Sequence, residues 1–97
     1  MNFTFHPEAR IEFIEAIAYY ERCREGLGLR FSREVHATIN RITIRPVAWP
    51  QISHNTRRCL TRRFPYGVIY EVQENEILII AITHLNREPG YWKNRTT

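Results

Sequence analysis

The run Ile77–Thr83 constrains the fold most, because its side chains are apolar at both sets of alternating positions. A strand with this pattern must be covered on both faces, so it predicts a central strand beneath helices. The longest uninterrupted apolar stretch, Ile77–Ile82, has the length of a strand and is too short to span a membrane. We therefore expect an internal strand and no membrane-spanning segment.

Two further segments before it, Thr56–Phe64 and Gly67–Gln73, have the composition of strands and are separated by a proline-containing turn. In the second segment Val68, Tyr70 and Val72 point to one face and alternate with Ile69 and Glu71 on the other, so one face is predicted to be core. In the first segment Leu60 shares its side with Arg58, so either the two faces disagree or a bulge intervenes. Together the three segments predict an antiparallel meander.

The first half of the chain predicts a short strand, Phe3–Phe5, followed by a helix that begins near Pro7 and ends at Gly26. One apolar face of this helix recurs at helical spacing, at Ala9, Phe13, Ala16, Ile17 and Tyr20. A second apolar group on the same helix suggests contacts on more than one side, at Ile11, Ile14 and Ala18.

A tight connection, Leu27–Leu29, then leads into a second helix that ends by Arg45, since the residue before Pro46 is pushed out of helical geometry. Its predicted core face comprises Phe31, Val35, Thr38, Ile39 and Ile42. The segment Pro46–Asn55 reads as a packed loop. We expect one α+β domain over residues 1–97, with a short N-terminal strand, an αα-hairpin and a three-stranded antiparallel meander.

The charge is modestly basic, with 14 Lys+Arg against 10 Asp+Glu, and Lys93 is the only lysine. Four arginines fall in the first predicted meander strand, at Arg57, Arg58, Arg62 and Arg63. They fit an edge strand protected by charge as well as a strip that binds phosphate or carboxylate. The two distant cysteines, Cys23 and Cys59, indicate a reduced, cytoplasmic protein without a metal-binding cysteine cluster.

Polar and aromatic residues follow the predicted central strand, where a rigid scaffold can hold functional groups. His84 could act as a general base, but a single histidine without a partner pattern is more often structural. Tyr91 and Trp92 could stack on bases or could cover the core. No paired acidic motif or nucleophile elbow accompanies them, so the residues alone indicate no metal site and no catalytic set.

Several stretches resemble the RelE/ParE superfamily of type II toxin–antitoxin toxins, which are also known as plasmid stabilisation proteins. The segments that carry the resemblance occur in the family's order over nearly the whole chain. They are Ala16–Glu21, Gly26–Gly28, Phe31–Val35, Arg62–Tyr70 and His84–Trp92. The resemblance implies a cytoplasmic growth-inhibiting toxin that is neutralised by a small cognate antitoxin encoded beside it. It also implies docking of that antitoxin on the groove beside the hairpin or on the basic sheet face, with higher-order toxin–antitoxin complexes as a further expectation.

The resemblance leaves two targets open. RelE-type members cleave mRNA in the ribosome without a metal, and the matching positions here are Arg58, Arg87 and Tyr91. Gly67, however, stands where the family's main phosphate-gripping arginine would follow the aromatic residue of the middle strand. ParE-type members poison DNA gyrase and need no catalytic set.

Because the RelE set is incomplete, we favour a ParE-like toxin that is not an enzyme and uses no cofactor. A ribosome-dependent endoribonuclease is the alternative, and a third reading is a chain that retains only antitoxin binding. The expected target-binding residues are Arg57, Arg58, Arg62, Arg63, His84, Arg87, Tyr91, Trp92 and Arg95.

Overall fold

The computed structural model describes residues 1–96. It contains a five-stranded sheet whose one face is covered by two helices. The strands are β1 (Asn2–Phe5), β2 (Gln51–Ser53), β3 (Thr56–Leu60), β4 (Tyr66–Val72) and β5 (Glu76–His84); the helices are α1 (Pro7–Cys23) and α2 (Leu27–Ile44), and a 3₁₀ turn spans Lys93–Arg95. The sheet order is β1-β5-β4-β3-β2, with β1 parallel to β5 and the other pairs antiparallel. The predicted α+β class, helical hairpin and β3–β5 meander are confirmed.

The helices begin and end where local chemistry requires. In α1, Pro7 occupies the first turn and the His6 side chain accepts a hydrogen bond from the Glu8 amide. The predicted end of α1 at Gly26 is wrong, because α1 ends at Cys23 and Gly26, with a φ of 85°, is the N-cap residue of α2. The predicted connection Leu27–Leu29 is wrong, because these residues form the first turn of α2.

Close packing explains the glycine inside that first turn of α2. A Cβ atom at Gly28 would lie 2.7 Å from the carbonyl oxygen of Ile17, so a larger residue would push the helices apart. The predicted core face of α2 is confirmed, since all five of its residues are buried. On α1 the second apolar group does not pack, because Ile11 and Ile14 are 53% and 54% exposed and Ala18 is exposed as well.

The main core lies between the helices and the sheet. Phe31 is at its centre, with ring centroids of Phe64 and Tyr66 within 5.2 Å and 4.9 Å. A second, smaller cluster lies on the opposite face of the sheet and contains Ile69, Ile80, Ala81 and Trp92. The prediction that β5 is covered on both faces is therefore confirmed.

Two strand boundaries differ from the sequence prediction. The expected loop Pro46–Asn55 contains the short strand β2, which adds a fifth strand beside β3. β3 itself ends at Leu60 and not at Phe64, because the Thr61 hydroxyl donates to the Phe64 and Tyr66 carbonyls and closes a turn. Arg62 and Arg63 consequently lie in this turn and not on a strand.

The side chains of β3 alternate regularly between the two faces of the sheet, so Leu60 shares an exposed face with Arg58. Arg58 and Leu60 are both exposed on the face away from the helices, while Cys59 between them is buried. The pairing of the sheet is irregular at two places, between Gln51 and Ser53 of β2 opposite β3, and between Ile69 and Tyr70 of β4 opposite β5. Within residues 1–96 no helix combines the length and apolarity needed to cross a bilayer.

Candidate functional site

A groove with cationic walls lies on the sheet face away from the helices. It has a volume of about 230 Å³, and we call it the C-terminal groove. Its polar lining consists of Arg58, Thr83, His84, Arg87, Glu88 and Lys93. Arg58 is on this face because its cross-strand partner is Ile69, and direct partners point to the same side. Trp92 is among the apolar residues of the lining.

Gly67 creates the space in which Arg58 lies. A Cβ atom at position 67 would be 3.2 Å from Cδ and 3.3 Å from Cγ of Arg58, so the arginine stem lies across the glycine. A glycine inside a strand often marks such a close approach. Arg58 therefore covers the position where the resembling family would place its own arginine.

His84 ends β5 and stabilises the loop that follows. Its Nδ1 atom accepts a hydrogen bond of 3.0 Å from the Asn86 amide, which assigns the proton of a neutral ring to Nε2. Its ring also contacts Tyr66 edge-on, with centroids 5.2 Å apart. His84 thus has structural contacts while it lines the groove.

Glu12 of α1 is the centre of a hydrogen-bond network that the sequence did not reveal. Its carboxylate accepts from the Tyr91 hydroxyl at 2.7 Å, from Arg95 at 2.9 and 3.0 Å, and from Arg87 at 3.3 Å. The Glu12 and Arg95 side chains are only 11% and 7% exposed, so this is a largely desolvated ion pair. The sequence carried no clear signal for it, because Glu12 does not fall on the predicted apolar face of α1 and its partners are distant in the chain.

The same network completes the open edge of β5. β1 pairs with β5 only as far as Ile79, which leaves the following backbone groups without a strand partner. The Glu12 carboxylate accepts from the Ile82 amide at 3.1 Å, and Arg95 donates to the Ile80 carbonyl at 3.1 Å. Side chains therefore replace the missing strand and anchor the segment Tyr91–Thr96.

Burial and charge change the acid–base properties of this network. Burial raises the pKa of Tyr91, and its hydrogen bond to the Glu12 carboxylate adds to the rise. For Arg95, burial lowers the pKa, but the hydrogen bond and charge of Glu12 outweigh it, so the net change is upward. Tyr91 is thus held as a neutral phenol and Arg95 as a cation.

Arg87 belongs to both the groove and the network. Its guanidinium lies 3.6 Å from the centre of the Tyr91 ring, in the arrangement of a cation–π contact. Its side chain remains 52% exposed, and it also lines the C-terminal groove. A ligand that engaged Arg87 would therefore act on the network around Glu12.

Of the remaining predicted site residues, Trp92 also lines the C-terminal groove, whereas Arg57, Arg62 and Arg63 lie outside it. Arg57 is half-buried and donates to the Val47 and Trp49 carbonyls, where it fastens the loop before β2. Arg62 and Arg63 are exposed in the β3–β4 turn. Trp92 is 5% exposed and covers the core, one of the two roles considered for it. The structure thus groups Arg58, His84 and Arg87, with Tyr91 adjacent through Arg87.

Across residues 1–96, no three His, Cys, Asp or Glu side chains are grouped as a metal site would need. Cys23 is exposed and Cys59 is buried, and both are free thiols.

Comparison with known proteins gives a family match and matches to solved structures. The family model described as the ParE toxin of type II toxin-antitoxin system, parDE, matches residues 3–89. A solved structure titled as the chromosomal ParDE TA system from P. aeruginosa has a TM-score of 0.78 and 14% identity, covering 89% of this chain and 97% of that one. At this identity the second similarity concerns the fold alone. No protein with a curated description matches the sequence.

Proposed function

This chain belongs to the ParE toxin family of type II toxin–antitoxin systems, and we propose that it arrests growth by binding DNA gyrase, without catalysis. A cognate antitoxin would neutralise it in the cytoplasm, where both the antitoxin and the target are found. In this proposal the C-terminal groove is the surface that contacts the target. Arg58, His84 and Arg87 line it and supply the main polar contacts.

The engagement of Tyr91 by Glu12 is the observation that carries the proposal. A nuclease of the RelE type needs its catalytic groups free to meet the RNA 2′-oxygen and the phosphate. Here the Tyr91 hydroxyl donates to Glu12, and Tyr91 does not line the groove that holds Arg58 and Arg87. Its raised pKa also keeps Tyr91 protonated, so little phenolate is present to act as a base. Binding requires none of these groups to ionise or transfer a proton.

One observation favours the alternative, a ribosome-dependent endoribonuclease. Arg58 and Arg87 share a groove with His84, and two cations beside an imidazole could stabilise a crowded phosphate and move a proton. In that case a single substitution, Arg87→Ala, would abolish activity while leaving fold and antitoxin binding intact. In the binding proposal the loss would be gradual.

The deciding experiment combines two assays on the purified chain. Inhibition of supercoiling by gyrase is measured on a relaxed plasmid, and mRNA 5′ ends are mapped in a bacterial cell-free translation reaction. We expect inhibition of supercoiling and intact message. Arg58→Ala and Arg87→Ala should each raise the inhibitory concentration by about three- to tenfold, as for one contact among several.

Arg10→Ala is the matched control, because Arg10 is exposed on α1 and outside the C-terminal groove. It should inhibit supercoiling as the unmodified chain does. New 5′ ends that occur only on translated message would refute the binding proposal and establish the nuclease. Overexpression without growth arrest, together with no effect in either assay, would leave a chain that only binds its antitoxin.

A further inference from the structure

A second cavity, which shares only one residue with the C-terminal groove, lies along the outer edge of β3. Its volume is about 300 Å³, and we call it the β3-edge pocket. β2 pairs with β3 only at Thr56 and Arg57, so within residues 1–96 no strand lies beside the edge at Cys59 and Leu60. Residues of α2 and of the segment before β2 line the pocket together with this open edge. The pocket therefore encloses part of an unpaired strand.

Three arginines from three different elements line the β3-edge pocket. Arg41 comes from α2, Arg58 from β3 and Arg62 from the β3–β4 turn, and no carboxylate of the described residues lines the pocket. In residues 1–96 neither Arg58 nor Arg62 forms an ion pair, whereas Arg41 lies 3.8 Å from the Glu34 carboxylate. Glu34 offsets part of one charge, so the pocket keeps a net positive charge that favours an anionic ligand.

The rest of the lining adds no negative charge. Cys59 is 2% exposed, and burial raises the pKa of its thiol, although Arg41 and Arg62 act in the opposite direction. The thiol is therefore neutral at physiological pH. The remaining lining residues have side chains that accept no hydrogen bond, and they are Trp49, Pro50 and Leu60. The pocket thus offers donors for phosphate but almost no group that could read a base or a sugar hydroxyl.

The unpaired edge supplies a further donor. The Arg58 amide points outward from the sheet, because it donates to the Pro50 carbonyl at 3.1 Å. Backbone direction in a strand repeats every two residues, so the Leu60 amide points to the same side, where β2 no longer pairs with β3. Backbone amides are common partners of phosphate oxygens. The edge therefore combines guanidinium groups with a backbone donor.

Arg58 connects the β3-edge pocket to the C-terminal groove. It lines both cavities, and its stem lies across Gly67. On the other side, the exposed Arg63 follows Arg62 in the turn and lines a further cavity at the helical hairpin. Cations thus follow one another along this edge of the molecule and do not converge on one point. Such a row suits a polymer of phosphates better than a single small anion.

We propose that the β3 edge binds the phosphate backbone of duplex DNA, independently of sequence, through Arg58, Arg62 and the less exposed Arg41. The contact itself is argued from the pocket, whereas its purpose rests on the proposed function. Gyrase acts on DNA, so a toxin bound to gyrase through the C-terminal groove would also hold the adjacent DNA. Two linked contacts strengthen each other by raising the effective concentration of the second. An acidic peptide suits the pocket less well, because its amides would find almost no acceptor there.

The test follows the fluorescence anisotropy of a labelled duplex of about 20 base pairs as the full chain is added. We expect binding that does not depend on sequence, with a slope of log affinity against log salt of about −2 to −3. Arg62→Gln should reduce the size of this slope by about one and weaken binding by about three- to tenfold. The substitution keeps the backbone amide of Arg62, which donates to the Glu34 carboxylate and holds the turn.

Arg10→Gln is the matched control, because it removes one charge from an exposed position of α1 outside the pocket. It should bind DNA as the unmodified chain does. Circular dichroism checks that each variant is folded. Arg58→Gln is the second pocket variant if Arg62→Gln unfolds, and it should weaken binding to the same extent.

Four results would overturn the proposal. They are no binding of the duplex, equal binding by Arg62→Gln and Arg10→Gln, a larger loss with Arg87→Gln than with Arg62→Gln, or tighter binding of a labelled glutamate-rich peptide with the same dependence on Arg62. The third result would place the nucleic acid in the C-terminal groove. The assay contains no gyrase, so failure of gyrase inhibition alone would count against the proposed function and not against the β3 edge.

Discussion

Replacing Glu12 by alanine is expected to destabilise this protein strongly, because the Glu12 side chain is only 11% exposed and carries a charge. Glu12 accepts five hydrogen bonds, from the Ile82 amide, Arg87, Tyr91 and twice from Arg95. Its removal leaves the Arg95 guanidinium, which is 7% exposed, without its main counter-charge. Breaking a buried pair in this way costs about 3–5 kcal/mol. For a domain of this size, the Tm should fall by about 12 °C or more.

Urea unfolding followed by tryptophan fluorescence measures this change, since buried Trp92 adjoins the segment that Glu12 holds. Glu15→Ala is the matched control, because Glu15 is exposed on the same helix, and its cost should stay below about 0.5 kcal/mol. Amide hydrogen exchange should also accelerate at Ile82, whose amide loses its acceptor.

The Glu12→Ala/Arg95→Met double variant distinguishes the stability contributed by the ion pair from the cost of leaving the Arg95 charge buried without Glu12. Removing both charges should recover part of the stability lost in Glu12→Ala alone, as replacement of a buried pair by apolar groups often does. The reasoning would be refuted if Glu12→Ala and Glu15→Ala unfolded within about 1 kcal/mol of each other. Such a result would mean that the network around Arg95 contributes no net stability.

Two further outcomes concern the core. Phe31→Ala and Ile80→Ala should each cost about 2–5 kcal/mol in urea unfolding, because both side chains are fully buried on opposite faces of the sheet, whereas the exposed Ile14→Ala should change little. Burial raises the pKa of Tyr70 to about 12, and its hydroxyl donates to the Pro46 carbonyl. Since the folded pKa exceeds the unfolded one, stability from Tyr70 is complete below about pH 10 and declines as the pH rises toward about 12. The difference in unfolding free energy between the unmodified chain and Tyr70→Phe should therefore shrink between about pH 10 and pH 12. A difference that stayed constant would contradict the raised pKa of Tyr70.

Local patterns predicted the elements whose residues are set by burial. The core face of α2 follows the helical period, and the apolar pattern of β5 on both faces required cover from both sides. The end of β3 was not predictable in this way, because the turn after it is closed by the amide and the hydroxyl of a single residue, Thr61. The network around Glu12 was not predicted for a different reason, because the partners of Glu12 lie 70 to 83 positions further along the chain.

The arginines show why sequence charge alone could not identify the site. A net charge of +4 counts every guanidinium alike, but folding divides them by what they meet. Arg95 is neutralised by Glu12, whereas Arg57 keeps its charge but directs donors to backbone carbonyls. Arg58 and Arg63 remain exposed at separate cavities, one on the sheet face and one at the hairpin. Folding, and not the net charge, therefore decides which guanidinium groups a partner can reach.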